Sequence, residues 1–246
     1  MSFYNLKRLL QPKSIALFGG LWIENVANQI KNSNFKGNVW PINPHRKSIA
    51  GYKCFQDISD LPGVPDTAFI GVNRTKTLEI LTKLNEVGCG GATCFAAGFS
   101  EVDKYGKQLQ KKLSKASKDM PFLGPNCYGY INYLDHIHMW PDQHGGKEVD
   151  KGVAIIAQSS NIAINLTMNT RSTPIAYVLT TGNQAKIDMS DLGLAMINDK
   201  RVTAIGIYIE GFKDIKKFEK MAFSALRSNI PIVVLKSGKT DLSKKQ

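Results

Sequence analysis

Ser14-Ile15-Ala16-Leu17-Phe18-Gly19-Gly20-Leu21-Trp22 reads as a buried strand that runs into a two-glycine turn and then a helix. In the helix, Trp22–Lys31, Ile23, Val26, Ala27 and Ile30 fall on one face at helical spacing. The same unit recurs outward along the chain. Asn38–Asn43 is a second strand, closed by Pro44, and Thr67–Val72 a third. Helix Thr75–Val87 turns Leu78, Leu81 and Leu84 inward. Ala92–Ala97 is a fourth strand, Val102–Lys118 a lysine-rich helix, and Phe122–Gly124 a short fifth strand entering Gly124-Pro125-Asn126-Cys127. Strands alternating with helices predict an α/β fold with parallel sheets.

From about Tyr133 to Lys151 the rhythm breaks. Asp135–Gly146 is rich in His, Trp, Pro, Asp and Gly, with neither helical nor strand period, as in a domain linker or an ordered loop lining a site. The alternation then restarts: strand Val153–Gln158, helix Asn161–Asn169, strand Ile175–Thr180, helix Met189–Asn198, strand Val202–Glu210, helix Ile215–Ser228 and strand Ile232–Lys236. Two α/β units are therefore expected, residues 1–145 and 146–246. The tail Asp241–Gln246 follows a strand where a further helix would ordinarily come, so the second unit reads as truncated at its C-terminus.

The chain has 246 residues, and 32 Lys+Arg against 20 Asp+Glu give a formal charge of +12. A hydrophobic share of 43% with 21% charged residues excludes wholesale disorder. No apolar run of about 18 residues and no signal-peptide core occur, so a cytoplasmic protein without a membrane span is expected. Cys54, Cys89, Cys94 and Cys127 show no metal spacing and sit in or beside apolar runs, which predicts reduced, mostly buried thiols and no metal site. The basic excess favours a polyanionic partner in general. Lys104, Lys107, Lys111, Lys112, Lys115 and Lys118 spread over a helix without interleaved aromatics, however, so nucleic acid is not the expected one. A homo-oligomer is left open.

Ligands of open α/β sheets bind at carboxyl strand ends where strand order reverses. Gly19 and Gly20 would let backbone approach a phosphate, with the amides of the following helix beyond them. A tight turn with no ligand is the alternative. After the second strand, Asn43-Pro44-His45-Arg46-Lys47 contains no acid to hold a ribose 2′-hydroxyl, which disfavours NAD. Arg46 and Lys47 suit a ligand with an additional ribose phosphate, coenzyme A or NADP, or else form a solvated basic turn. The small, uncharged strand ends Gly71-Val72-Asn73 and Phe95-Ala96-Ala97-Gly98-Phe99 are compatible with a slot for a long neutral arm.

Pro12-Lys13-Ser14-Ile15-Ala16-Leu17-Phe18-Gly19-Gly20, Asn43-Pro44, Ala97-Gly98-Phe99 and Gly124-Pro125-Asn126-Cys127-Tyr128-Gly129 together resemble the CoA-binding domain of ADP-forming acyl-CoA synthetases. The resemblance continues, in order, through Gln158-Ser159-Ser160, Gly182-Asn183-Gln184-Ala185, Tyr208-Ile209-Glu210-Gly211 and Val234-Leu235-Lys236-Ser237-Gly238-Lys239. This is the acetate–CoA ligase and succinyl-CoA ligase superfamily. It implies a Rossmann-like CoA-binding domain followed by a flavodoxin-like ligase domain. By that resemblance Gly19, Gly20 and Trp22 lie near CoA phosphates, and Asn43, Pro44 and Lys47 near the adenosine. Val72, Asn73, Ala97 and Gly98 line the pantetheine, and Asn126 approaches the thioester end.

The reaction so implied is ATP + acid + CoA giving ADP + phosphate + acyl-CoA, through an acyl-phosphate and a phosphohistidine. Ser159, Ser160 and Asn161 would hold the phosphoryl group at a helix start. Ser160 departs from the Ser-Gly common in relatives. Glu210 would orient the phosphohistidine. That histidine should follow Lys236-Ser237-Gly238-Lys239-Thr240, yet His45, His136, His138 and His144 all lie upstream. The expectation is a CoA-binding portion that needs an ATP-grasp domain or subunit, in cis or trans, to supply the ATP, ADP and Mg chemistry. Its small-molecule partners would be CoA and a carboxylic acid or acyl-phosphate. A non-catalytic CoA-sensing module of an acetyltransferase-type relative is the alternative. An NADP oxidoreductase is disfavoured, because no hydride-transfer constellation accompanies the turn. Trp140, His138 and His144, in the loop from Tyr133 to Gly146, are expected to be subfamily-specific, with Trp140 touching substrate.

Overall fold

The structure, a computed structural model, describes residues 4–238. The expectations on Lys239, Thr240 and the tail Asp241–Gln246 lie outside the described residues. A short helix α1 (Lys7–Leu10) precedes β1 (Ser14–Gly19) and α2 (Leu21–Asn32). Then come β2 (Asn38–Ile42), a small hairpin of β3 (Ser48–Ile49) and β4 (Tyr52–Lys53), β5 (Thr67–Gly71), α3 (Arg74–Glu86), β6 (Ala92–Cys94), α4 (Lys104–Ala116) and β7 (Phe122–Leu123). These build a parallel five-stranded sheet in the order β2-β1-β5-β6-β7. Apolar residues at helical spacing in α2 bury Ile23, Val26, Ala27 and Ile30, as the sequence pattern predicts.

The chain continues through β8 (Tyr130–Asn132), β9 (Ile137–Met139), β10 (Gly152–Ala157), α5 (Ser160–Thr167), β11 (Ile175–Thr180), α6 (Met189–Ile197), β12 (Val202–Ile209), α7 (Ile215–Arg227) and β13 (Ile232–Lys236). The second sheet runs β13-β12-β10-β11-β8-β9, with β8 antiparallel to both β11 and β9. The stretch without a visible period thus contains strand β9. Its three residues are all buried, so no alternation shows, and His136 at the turn before it takes a positive φ of 58°. The first sheet ends at Leu123 and the second begins at Tyr130.

The two sheets share one apolar core. Leu9, Leu10, Ile23 and Ile30 pack in one cluster with Tyr130, Met139, Tyr177 and Leu179. Polar groups close the same seam: Asn132 donates to the Leu10 carbonyl at 3.1 Å, and Asn25 and Gln29 of α2 donate to the carbonyls of Pro141 and Asp142 at 3.1 and 2.7 Å. At one edge, β13 leaves Val233 and Leu235 largely exposed. Among the described residues, no helix is long and apolar enough to cross a membrane. The four cysteines are free thiols, three of them buried.

Candidate functional site

Each sheet has one point where successive connections leave in opposite directions. In the first it lies between β1 and β5, where Gly19 and Gly71 are paired. A Cβ on Gly19 would stand 2.6 Å from the Gly71 carbonyl oxygen, and the Gly19 φ is +142°. Gly19 is therefore demanded by the crossing of the two strand ends. Gly20 is different: nothing lies within 4 Å of where its Cβ would be. It begins α2 without a side-chain cap, leaving that helix's first amides available to an anion.

Asn43 ties the neighbouring strand end into place, donating to the Gly19 carbonyl at 2.8 Å and accepting from the His45 amide at 2.9 Å. Beyond it Pro44, Arg46 and Lys47 are exposed. Arg46 is paired with Glu24 in the first turn of α2 at 2.6 Å, an exposed and hence weak contact.

From this switch point a slot of about 440 Å³ runs along Trp22, Val72, Asn73, Arg74, Ala97 and Gly98. Asn73 caps α3, accepting from the Lys76 amide at 3.0 Å. Arg74 reaches back across the slot, donating to the Gly98 carbonyl at 2.5 Å, with its guanidinium 5.1 Å from the centre of the Tyr105 ring. Glu101 ties down the loop beyond Gly98, accepting from the amides of Gly98 and Phe99 at 2.6 and 3.1 Å. Burial pushes the Glu101 carboxyl up, but these bonds and one from Asn183 outweigh it and hold it below its ordinary range.

The second switch point lies between β10 and β12. There Gln158 accepts from the amides of Glu210 and Gly211 at 2.9 and 3.0 Å, fixing the turn that presents Glu210. A cleft of about 410 Å³ opens beside it, lined by Asn126, Tyr128, Ser159, Ser160, Asn161 and Glu210, together with Phe95 and Ala97. Phe95 and Ala97 also line the slot. Slot and cleft thus adjoin at Phe95 and Ala97, and together they form a groove between the two switch points.

Ser159 caps α5, its hydroxyl accepting from the Ile162 amide at 3.5 Å. The Ser160 hydroxyl accepts from the Tyr128 amide at 3.2 Å, so the side chain that replaces a glycine fastens the Asn126 turn to α5. Asn126 has φ +59°, and its amide donates to the Ala96 carbonyl at 2.9 Å. On its other side Gly182 presses so close that a Cβ would stand 2.3 Å from the Pro125 oxygen. The Glu210 carboxylate is exposed.

The groove therefore gathers Trp22, Val72, Asn73, Ala97, Gly98, Asn126, Ser159, Ser160, Asn161 and Glu210 along its length, with Gly19, Gly20 and Asn43 beside its first end. The strand end that begins at Phe95 reads as a slot wall in the sequence, and Phe95 does line both slot and cleft. Sequence reasoning missed the contributions of Arg74, Glu101, Gln158 and Tyr128. Trp140 is a correction: it is fully buried, so it touches no substrate, and its ring packs edge-on against Tyr128 at 5.4 Å. The segment reads in the sequence as a loop lining a site, whereas Trp140 directly follows the buried strand β9 and packs in the core.

Residues 13–133 match the family described as a CoA binding domain, and residues 150–246 match the succinyl-CoA ligase like flavodoxin domain. An ADP-forming acetate–CoA ligase of Methanocaldococcus jannaschii is 34% identical over 98% of this chain and 34% of its own length. The chain belongs to the ADP-forming acyl-CoA synthetase family. Its fold matches the dinucleotide forming acetyl-coenzyme A synthetase 1 of Ca. Korarchaeum cryptofilum with a TM-score of 0.86, at 29% identity, over 98% of this chain and 54% of that one. A further relative in this ADP-forming acyl-CoA synthetase family is the alpha subunit of acetate–CoA ligase II of Pyrococcus furiosus, 28% identical over 96% of this chain and 52% of the subunit. The chain thus spans between about a third and about half of the length of these relatives. It corresponds to the CoA-binding portion of such a synthetase.

Proposed function

We propose that the groove holds coenzyme A, with its phosphates at Gly20, Trp22 and the α2 amides, and its adenosine end against Asn43, Pro44, Arg46 and Lys47. The arm would lie along Val72, Asn73, Ala97 and Gly98, bringing the thiol to Asn126. The observation that carries this reading is that slot and cleft adjoin, with Phe95 and Ala97 in the lining of both. A bulky anionic head with a long thin arm fits a groove whose wide end offers unpaired amides and whose middle is lined by small residues. When bound, CoA supplies the thiol that accepts the acyl group.

At the cleft, Ser159, Ser160 and Asn161 sit at a helix start suited to a phosphate or the phosphoryl end of an acyl-phosphate. Glu210 faces the same space and is placed to orient a histidine brought to it. A structure of the Korarchaeum enzyme in complex with phosphate and ADP supports phosphate chemistry in the family. The complete reaction, acid + CoA + ATP to acyl-CoA + ADP + phosphate, would require the histidine and an ATP-grasp module with its Mg, in cis or in trans. An alpha subunit among the relatives supports a separate partner chain. We place the division between the two domains near residue 145, with the β8–β9 hairpin lent to the second sheet, and the protein in the cytoplasm, where it could also self-associate.

Calorimetry with CoA, dephospho-CoA and NADP tests the ligand. CoA should bind more tightly than dephospho-CoA by roughly tenfold, the value of one screened phosphate–cation contact of about 1.4 kcal/mol. Equal affinity removes the ribose-phosphate role of Arg46 and Lys47, and no binding of CoA removes the reading itself.

A further inference from the structure

The groove is lined by two unlike sets of residues at its second end. Ser159, Ser160, Asn161 and Glu210 are polar; Phe95 and Tyr128 bring aromatic rings to the lining of the same cleft. The two rings lie 5.7 Å apart at 44°, and the row continues to Trp22, 4.8 Å from Phe95, and to Trp140, 5.4 Å from Tyr128. Trp140 is fully buried and cannot move aside, so it fixes Tyr128 from behind. Tyr128 itself is only half-buried and lines the cleft.

We propose that Tyr128, together with Phe95, is the surface that receives the hydrocarbon of the acyl group, and that it selects planar or extended apolar acyl chains over acetyl. This rests on the reading of the groove as a CoA site. With the thiol delivered near Asn126, an acyl carbonyl has one polar side and one apolar side to turn to. Its oxygen and any phosphoryl group belong with the hydroxyls and helix amides. The rest of the acyl chain is left with the rings. A methyl group covers little of that surface, whereas an aryl ring covers a tyrosine face and gains a ring–ring contact beyond simple burial. The Tyr128 ring is held by Trp140, so the surface is preformed and costs no ordering on binding.

The test is direct titration of the purified chain with CoA, acetyl-CoA and benzoyl-CoA. Benzoyl-CoA should bind roughly three- to tenfold more tightly than acetyl-CoA. Tyr128→Leu should bring the two acyl-CoA affinities within about twofold of each other, and Tyr128→Phe should keep the wild-type preference. Should Tyr128→Leu not fold, judged by near-ultraviolet circular dichroism, the wild-type ratio and a nuclear Overhauser contact between benzoyl and Tyr128 ring protons still decide. Acetyl-CoA and benzoyl-CoA binding alike, or no such contact, overturns the proposal while leaving the CoA site standing. A preference that survives Tyr128→Leu overturns the role of Tyr128. If CoA itself does not bind, the site reading fails and this inference with it.

Discussion

At the scale of single residues, the two glycines of the first turn have separable tasks. Gly19→Ala must push a methyl into the Gly71 carbonyl at a backbone φ of +142°, and should destabilise the fold by roughly 2–3 kcal/mol in urea unfolding. Gly20→Ala meets open space, and should leave stability within about 1 kcal/mol yet weaken CoA binding by calorimetry. His138 makes a different prediction. Burial, with His144 and His136 nearby, pushes its imidazole down to about 3 from an ordinary 6.5, and burial lowers His144 as well. The folded state thus refuses a proton that the unfolded chain takes up. Stability is fully present above pH 6.5 and falls as pH drops from there toward 3, with a slope approaching about 1.4 kcal/mol per pH unit for each such histidine. Urea unfolding of wild type and His138→Leu between pH 7.5 and 5.0, above the range of the carboxylates, should show the slope shrink in the variant. An unchanged slope would remove His138 as its source.

At the scale of elements, α6 and α7 are fastened by one buried cation. Lys217 lies 3.2 Å from Asp188 and 2.5 Å from Asp191, and the three side chains are almost fully enclosed. The ion pairs hold the Lys217 ammonium above its ordinary range against the burial that lowers it, whereas burial raises Asp191. Lys217→Met leaves two buried carboxylates without their cation and should cost roughly 3–5 kcal/mol in urea unfolding, far more than a surface lysine change. The regular elements were legible in the sequence, because strands such as β1 and helices such as α2 bury one continuous set of apolar residues. The β8–β9 hairpin was not. Three-residue strands have too few positions to show a period, and the pairing of β8 with β11 is decided by residues 45 to 49 positions away (Asn132 to Tyr177, Tyr130 to Leu179). The Lys217–Asp188–Asp191 cluster was equally invisible, since a lysine in a basic helix looks like any other.

At the scale of the whole molecule, the charge of +12 is mostly solvated surface, and the proposed CoA site draws on a few local groups. CoA binding should therefore weaken only moderately, by a few-fold, between 50 and 300 mM NaCl in calorimetric titrations, and a steep loss would instead implicate the general field. Which residues would line the groove was largely readable from strand ends, because connection reversals place such ends together in any sheet of this kind. That two sheets aim their reversal points at one groove was not readable. It depends on α2 and the Pro141–Asp142 backbone locking together across the seam. The row of rings has a last consequence, optical rather than structural. Trp22 stands 42% exposed at the slot while Trp140 is fully enclosed, so the row of rings carries one quenchable and one shielded fluorophore; the third tryptophan, Trp40, is half-buried on β2. In a Trp40→Phe background, acrylamide should quench a red-edge component that ligand in the slot protects, leaving the blue emission of Trp140 as an internal standard for how much of the groove is filled.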